Sequence, residues 1–99
     1  MKRASTPTHS FSFPFAYDDV KTLLLTYKQK GKVILRKGKQ DMTAENGVWR
    51  ITLTQEETNL FSKGTAATMI RALLRNGKVA TLEEDIFSVE DVHDDEVLR

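Results

Sequence analysis

Six cations crowd one short stretch of this chain: Lys28, Lys30 and Lys32 around Gly31, then Arg36, Lys37 and Lys39 around Gly38, with Tyr27 at its head. A β-ribbon carrying that much positive charge could grip phosphates, so nucleic-acid binding is one chemistry open to the sequence. Lysines in such places also keep hairpin and edge strands from unwanted pairing, which makes this the weaker reading. The rest of the inventory is thin. His93 precedes Asp94 and Asp95, a grouping able to hold a divalent cation weakly, but a solvated acidic tail has the same composition. Glu56 and Glu57 are adjacent carboxylates with no partner acid at a defined spacing. The serines lack a nucleophile elbow, and the five glycines are scattered as turn residues rather than gathered into a phosphate loop. No catalytic residue, metal ligand or cofactor is expected, and the chain is read as a non-enzyme.

The charge of the whole chain is close to balanced, at +1, but its distribution is not. Residues 1–39 hold nine Lys and Arg against Asp18 and Asp19, a net +7, whereas residues 83–99 hold eight Asp and Glu against Arg99, a net −7. Such polarity serves either a contact between subunits or satisfaction within one fold. The tail Asp94-Asp95-Glu96-Val97-Leu98 is the candidate subunit contact, because it ends in two apolar residues that a solvated tail does not need. Ninety-nine residues make room for one core, hence one domain, with residues 1–7 as a flexible arm and 93–99 as an acidic tail. There is no cysteine, so no disulfide framework is available. The Met-Lys-Arg start leads into polar residues rather than a signal peptide, and no apolar run approaches the ~20 residues of a membrane span.

The elements that must position these groups are short apolar runs spaced about ten residues apart and closed by Gly or Asn-Gly turns, the rhythm of a small all-β sandwich or barrel. Phe11, Phe13 and Phe15 alternate with polar residues and argue for a strand on the core, with Pro14 placing it at an edge or ending it. Val20–Tyr27 fits helix or strand; Lys30-Gly31-Lys32 as a turn into Val33-Ile34-Leu35 favours a hairpin. Met42 is expected to start a short strand. Asn46-Gly47 is the clearest turn, and Trp49, Ile51 and Leu53 after it are the clearest strand. Thr54-Gln55-Glu56-Glu57 is a capping box, predicting one helical turn near residues 55–60 that plugs the sandwich with Leu60 and Phe61. Ala66–Leu74 again fits both periods, and by propensity alone reads as helix. Ile86–Val92 is expected to be the closing strand.

The segments Ser5-Thr6-Pro7-Thr8-His9-Ser10-Phe11-Ser12-Phe13-Pro14-Phe15, Ile51-Thr52-Leu53-Thr54-Gln55-Glu56-Glu57-Thr58, and Val89-Glu90-Asp91-Val92 through Asp94-Asp95-Glu96-Val97-Leu98 resemble small prophage proteins of Gram-positive bacteria. The chain is similar in this respect to the immunoglobulin-like N-terminal domain of phage baseplate upper proteins. The resemblance implies an immunoglobulin-like β-sandwich of about seven strands, with both ambiguous segments as strands. It also implies a structural or adaptor role in a phage tail or baseplate. The expected partners are other phage structural proteins, with self-assembly possible and no membrane contact. The expected location is the virion, after synthesis in the bacterial host cytoplasm. The alternative is a small nucleic-acid-binding module using the basic hairpin.

Overall fold

The computed structural model describes the backbone of residues 1–99 and all side chains except those of residues 83 and 84. Three hairpins dominate it, and each is set by a turn visible in the sequence. β2 (Val20–Gln29) returns as β3 (Lys32–Gly38) through Lys30-Gly31, and β4 (Thr43–Glu45) returns as β5 (Val48–Thr52) through Asn46-Gly47. Both central residues of each turn have positive φ, 53° and 75° in the first and 52° and 77° in the second. That is the type I′ geometry that matches the twist of paired strands. The third hairpin joins β6 (Gly64–Leu74) to β7 (Val79–Val89), where the Asn76 side-chain oxygen accepts the Lys78 amide at 2.9 Å.

With β1 (Thr8–Ser12), the strands form two antiparallel sheets, ordered β1-β5-β4 and β3-β2-β6-β7. The second hairpin thus lies in one sheet and the first and third in the other. In the lettering of immunoglobulin sheets these orders correspond to B-E-D facing C′-C-F-G. The protein is a seven-stranded β-sandwich with one short helical turn, α1 (Gln55–Thr58). Among the described residues no helix is long and apolar enough to cross a membrane.

The core lies between the sheets. Phe11, Trp49 and Ile51 come from one side, and Leu23, Leu25, Tyr27 and Ile70 from the other, all buried. No disulfide joins the sheets; ring packing does, with His9 of β1 centred 5.6 Å from Tyr27 of β2 and 5.3 Å from Phe87 of β7. The Trp49 indole N–H donates to the Phe15 carbonyl at 3.0 Å, so the largest buried ring leaves no polar atom unpaired.

Ala66–Leu74 is a strand despite its helix-forming composition. β6 is hydrogen-bonded on both sides, to β2 and β7, and buries Ala66, Thr68, Ile70 and Ala72 in strict alternation. Their register partners on β2 are Gln29, Tyr27, Leu25 and Leu23, so small side chains sit beside large ones. Helix propensity differs by at most about 0.7 kcal/mol per ordinary residue and yields to this packing.

Several details depart from the sequence reading. β1 stops at Ser12, so Phe13 reaches the core from the loop beyond the strand and Phe15 is only half-buried. Met42 is buried and ends a 3-10 turn, and β4 begins one residue later. Leu60 does not plug the sandwich: it is 57% exposed, while Phe61 is buried. The reason is the length of α1, which ends after one turn and leaves only Phe61 aimed inward. The closing strand starts at Val79 rather than Ile86 and ends at Val89, short of Val92.

Candidate interaction site

The turn α1 is held by a reciprocal cap. The Thr54 hydroxyl accepts the Glu57 amide at 3.1 Å, and a Glu57 carboxylate oxygen accepts the Thr54 amide at 2.9 Å. The second oxygen of Glu57 meets the Lys37 ammonium of β3, a pair whose side chains are 21% and 16% exposed. Burial works against the charge on Glu57, but Lys37 and the Thr54 amide outweigh it and hold the carboxyl below its ordinary range. One carboxylate therefore ties the inter-sheet crossover to the edge of the opposite sheet.

That ion pair also divides the basic stretch. Lys37 shares the inner face with its register partner Leu25, whereas Arg36 lies opposite Thr26 on the outer face, where Lys28 also lies. Lys30 occupies the hairpin turn and Lys32 begins β3. Lys39 sits in a 3-10 turn at the far end of β3, its ammonium 4.1 Å from the centre of the Tyr17 ring, which stacks on Trp49. The six cations are thus spread over both faces and both ends of the β2–β3 pair. Only Lys28 and Arg36 share the outer sheet face.

The acidic tail is drawn onto the body of the protein. Arg3 bridges Asp91 at 2.8 Å and Asp95 at 2.9 Å, and its guanidinium holds the exposed Asp91 carboxyl below the usual range. The Asn59 amide donates to the Asp95 carbonyl at 2.8 Å, and Gln55 exchanges two hydrogen bonds with the Leu98 backbone. The first residues, read from sequence as an arm, lie beside the end of β7. The Met1 ammonium donates to the Ser88 carbonyl at 2.7 Å, the Glu90 amide to Met1, and the Arg3 amide to Glu90 at 3.0 Å. Part of the opposed charge of the two ends is therefore satisfied inside one chain. Asp94 and Glu96 point to solvent, Val97 is half-buried and Leu98 is 79% exposed.

Sequence reasoning missed a third feature. His9 of β1 and Tyr27 of β2 meet across the sheets at 2.6 Å, Nδ1 to hydroxyl, with Phe87 packed 5.3 Å from the imidazole. Burial pushes the His9 pKa down, the positive amino terminus adds to this, and Asp85 opposes it. Burial, with Glu57, raises the Tyr27 phenol, so the pair is uncharged at neutral pH. A cleft of about 190 Å³ opens beside it, lined by His9, Ser10, Thr68, Asp85 and Phe87. Among the described residues no group of three His, Cys, Asp or Glu is placed to hold a metal ion. The two partners are 18 residues apart on strands of different sheets, so no local spacing could have signalled them.

Apolar surface is exposed as well. Leu24, Val33, Met69, Val79 and Ile86 are 40–65% exposed, and all five lie on the outer face of the four-stranded sheet. Lys28, Arg36 and Arg71 lie among them on the same face.

No protein-family model matches the sequence, and no curated protein sequence does either. The fold, however, is similar to solved structures. The crystal structure of CopC from Methylosinus trichosporium OB3b superposes with a TM-score of 0.55 at 13% identity, over 94% of this chain and 84% of that one. The V domain of amphioxus IgVJ-C2 matches with a TM-score of 0.38 at 10% identity, over 91% and 95% of the two chains. At such identities the likeness to CopC is one of fold: a two-sheet β-sandwich.

Proposed function

We propose that this protein is a non-enzymatic structural or adaptor component of a phage particle, placed in the tail or baseplate and binding other phage structural proteins. The observation that carries the reading is the outer face of the four-stranded sheet, where five large apolar side chains stand exposed on a rigid platform. Several chemistry-bearing groups are engaged within the chain: Glu57 with Lys37, Arg3 with Asp91 and Asp95, and His9 with Tyr27. A sheet face that carries exposed apolar side chains among its charged ones is suited to docking. The resemblance of its opening, middle and ending segments to prophage proteins supplies the setting.

The test is direct. Particles from an induced lysogen are purified by density gradient, and their proteins are quantified by mass spectrometry. The protein is expected at a fixed copy number per particle, retained by tail fractions and absent from isolated heads. Recovery only in the soluble fraction, with particles intact without it, would overturn the reading.

A further inference from the structure

We propose that copies of this chain join edge to edge: β3 of one copy adds to β7 of the next, fusing their four-stranded sheets into one ribbon. Three observations meet in this pairing. The sheet runs β3-β2-β6-β7 with every neighbour antiparallel, so its two outer strands point in opposite directions. A second copy set beside the first in the same orientation therefore brings β3 antiparallel to β7, and the alternation continues without a break. Both edges are long, 7 residues in β3 and 11 in β7. The edges of the other sheet are β4, of 3 residues, and β1, of 5, which runs into Pro14.

Charge selects this pairing over the others. β3 carries Lys32 and Arg36, with Lys30 and Lys39 just beyond its ends and Lys37 already held by Glu57. β7 carries Glu83, Glu84 and Asp85 at its middle. Two β3 edges repel each other and so do two β7 edges, whereas unlike edges attract. Residues that look like protection against symmetric pairing thus leave the heterologous pairing open.

The apolar side chains fix the register. Val33 on β3 and Ile86 on β7 are 41% and 65% exposed on the same outer face. Setting Val33 opposite Ile86 in an antiparallel ladder lays the basic stretch of β3 along the middle of β7. Residues 1–3 already pair with the Ser88–Glu90 end, so the open part of β7 is Val79–Phe87, where this register falls. The contact is heterologous and does not close on itself, which makes an open ribbon. With a sheet twist of about 20–25° per strand, four strands turn each copy by roughly 80–100°, or about four copies per turn.

The absence of cysteine gives a clean test. Val33→Cys and Ile86→Cys are introduced in separate proteins, both at exposed positions, and mixed under mild oxidation. Directly opposed residues in an antiparallel pair have Cα atoms about 4.5–5.5 Å apart, within disulfide reach. The expected result is a mixed V33C–I86C dimer at least tenfold over either like pair, and a ladder of dimers, trimers and higher species from the double variant. Lys32→Glu with Arg36→Glu abolishes the ladder, and mixing that protein with a Glu83→Lys, Glu84→Lys protein restores a dimer, each variant being checked for folding by circular dichroism. Predominant like-with-like crosslinks, or a monomer by sedimentation at about 1 mM protein in low salt, overturns the inference. The inference stands apart from the particle assignment: a ladder from a protein missing from particles would sink that assignment alone, and a particle protein that stays monomeric would sink this inference alone.

Discussion

The outer faces of the two sheets are built from the same kind of pleated surface but differ in their apolar content. On the three-stranded sheet the outward positions are Thr8, Ser10 and Ser12, then Arg50 and Thr52, then Thr43 and Glu45, with half-buried Val48 the single apolar exception. The Thr8 and Thr52 hydroxyls even pair with each other at 2.8 Å. On the four-stranded sheet the outward positions mix polar residues, Thr26, Lys28, Arg36, Arg71 and Thr81 among them, with exposed Leu24, Val33, Met69, Val79 and Ile86. Folding does not ask for this difference, since either face can be solvated. What differs is the surface itself: one face is almost wholly polar, and the other adds exposed apolar side chains to its polar ones.

The largest effect tests what the two sheets share. Trp49→Ala removes the ring that the three-stranded sheet drives into the core, and it is expected to lower stability by about 3–5 kcal/mol in urea unfolding. A loss below ~1 kcal/mol would mean that the sheets are joined elsewhere. Next in size is a contrast inside one strand. Ala72 faces inward and Ala67 faces out, so Ala72→Leu is expected to cost about 1–3 kcal/mol by overpacking, while Ala67→Leu changes stability by less than about 0.5 kcal/mol. Equal effects would erase the distinction between the faces.

A smaller effect follows from His9, which bridges the sheets. Its folded pKa lies below the ordinary 6.5. Between those two values the unfolded chain binds more protons than the folded one, so stability rises with pH there. The contribution is complete above about pH 6.5 and is lost as pH falls through the folded value. Thermal melts between pH 5 and 7.5 are expected to show this slope, and His9→Gln to flatten it. Smallest is any affinity for nucleic acid. Of the six only Lys28 and Arg36 share the outer face, joined there by Arg71, so the salt slope for duplex DNA is expected to be no steeper than about −3. A slope near −5 would show the six cations acting together and would revive the nucleic-acid reading.

Much of the fold was legible in the chain because it is written locally. The positive-φ turns at Gly31 and Gly47, the alternation of Trp49, Ile51 and Leu53, and the Thr54–Glu57 box each need only neighbouring residues. Ala66–Leu74 was not legible by propensity, because its strand state depends on Tyr27 and its neighbours filling the space that alanines leave. The ends of the chain were less legible still. Arg3 and Asp95 are 92 residues apart, and nothing near either one announces the other. The charge polarity was visible, but which charges meet within one chain is decided by where the first and last strands lie.

The placement of the hairpins has a kinetic consequence. Each hairpin is completed inside one sheet, while the links β1 to β2, β3 to β4 and β5 to β6 all cross between sheets. Hairpins close in about 1–10 μs, but docking them requires contacts distant along the chain, which puts such sandwiches in the millisecond-to-second range. Docking of the sheets, rather than closing of the turns, is therefore expected to set the refolding rate. Changes at Gly31 or Gly47 alter how often a productive attempt begins, whereas changes at Trp49 or Tyr27 alter how long a completed one lasts.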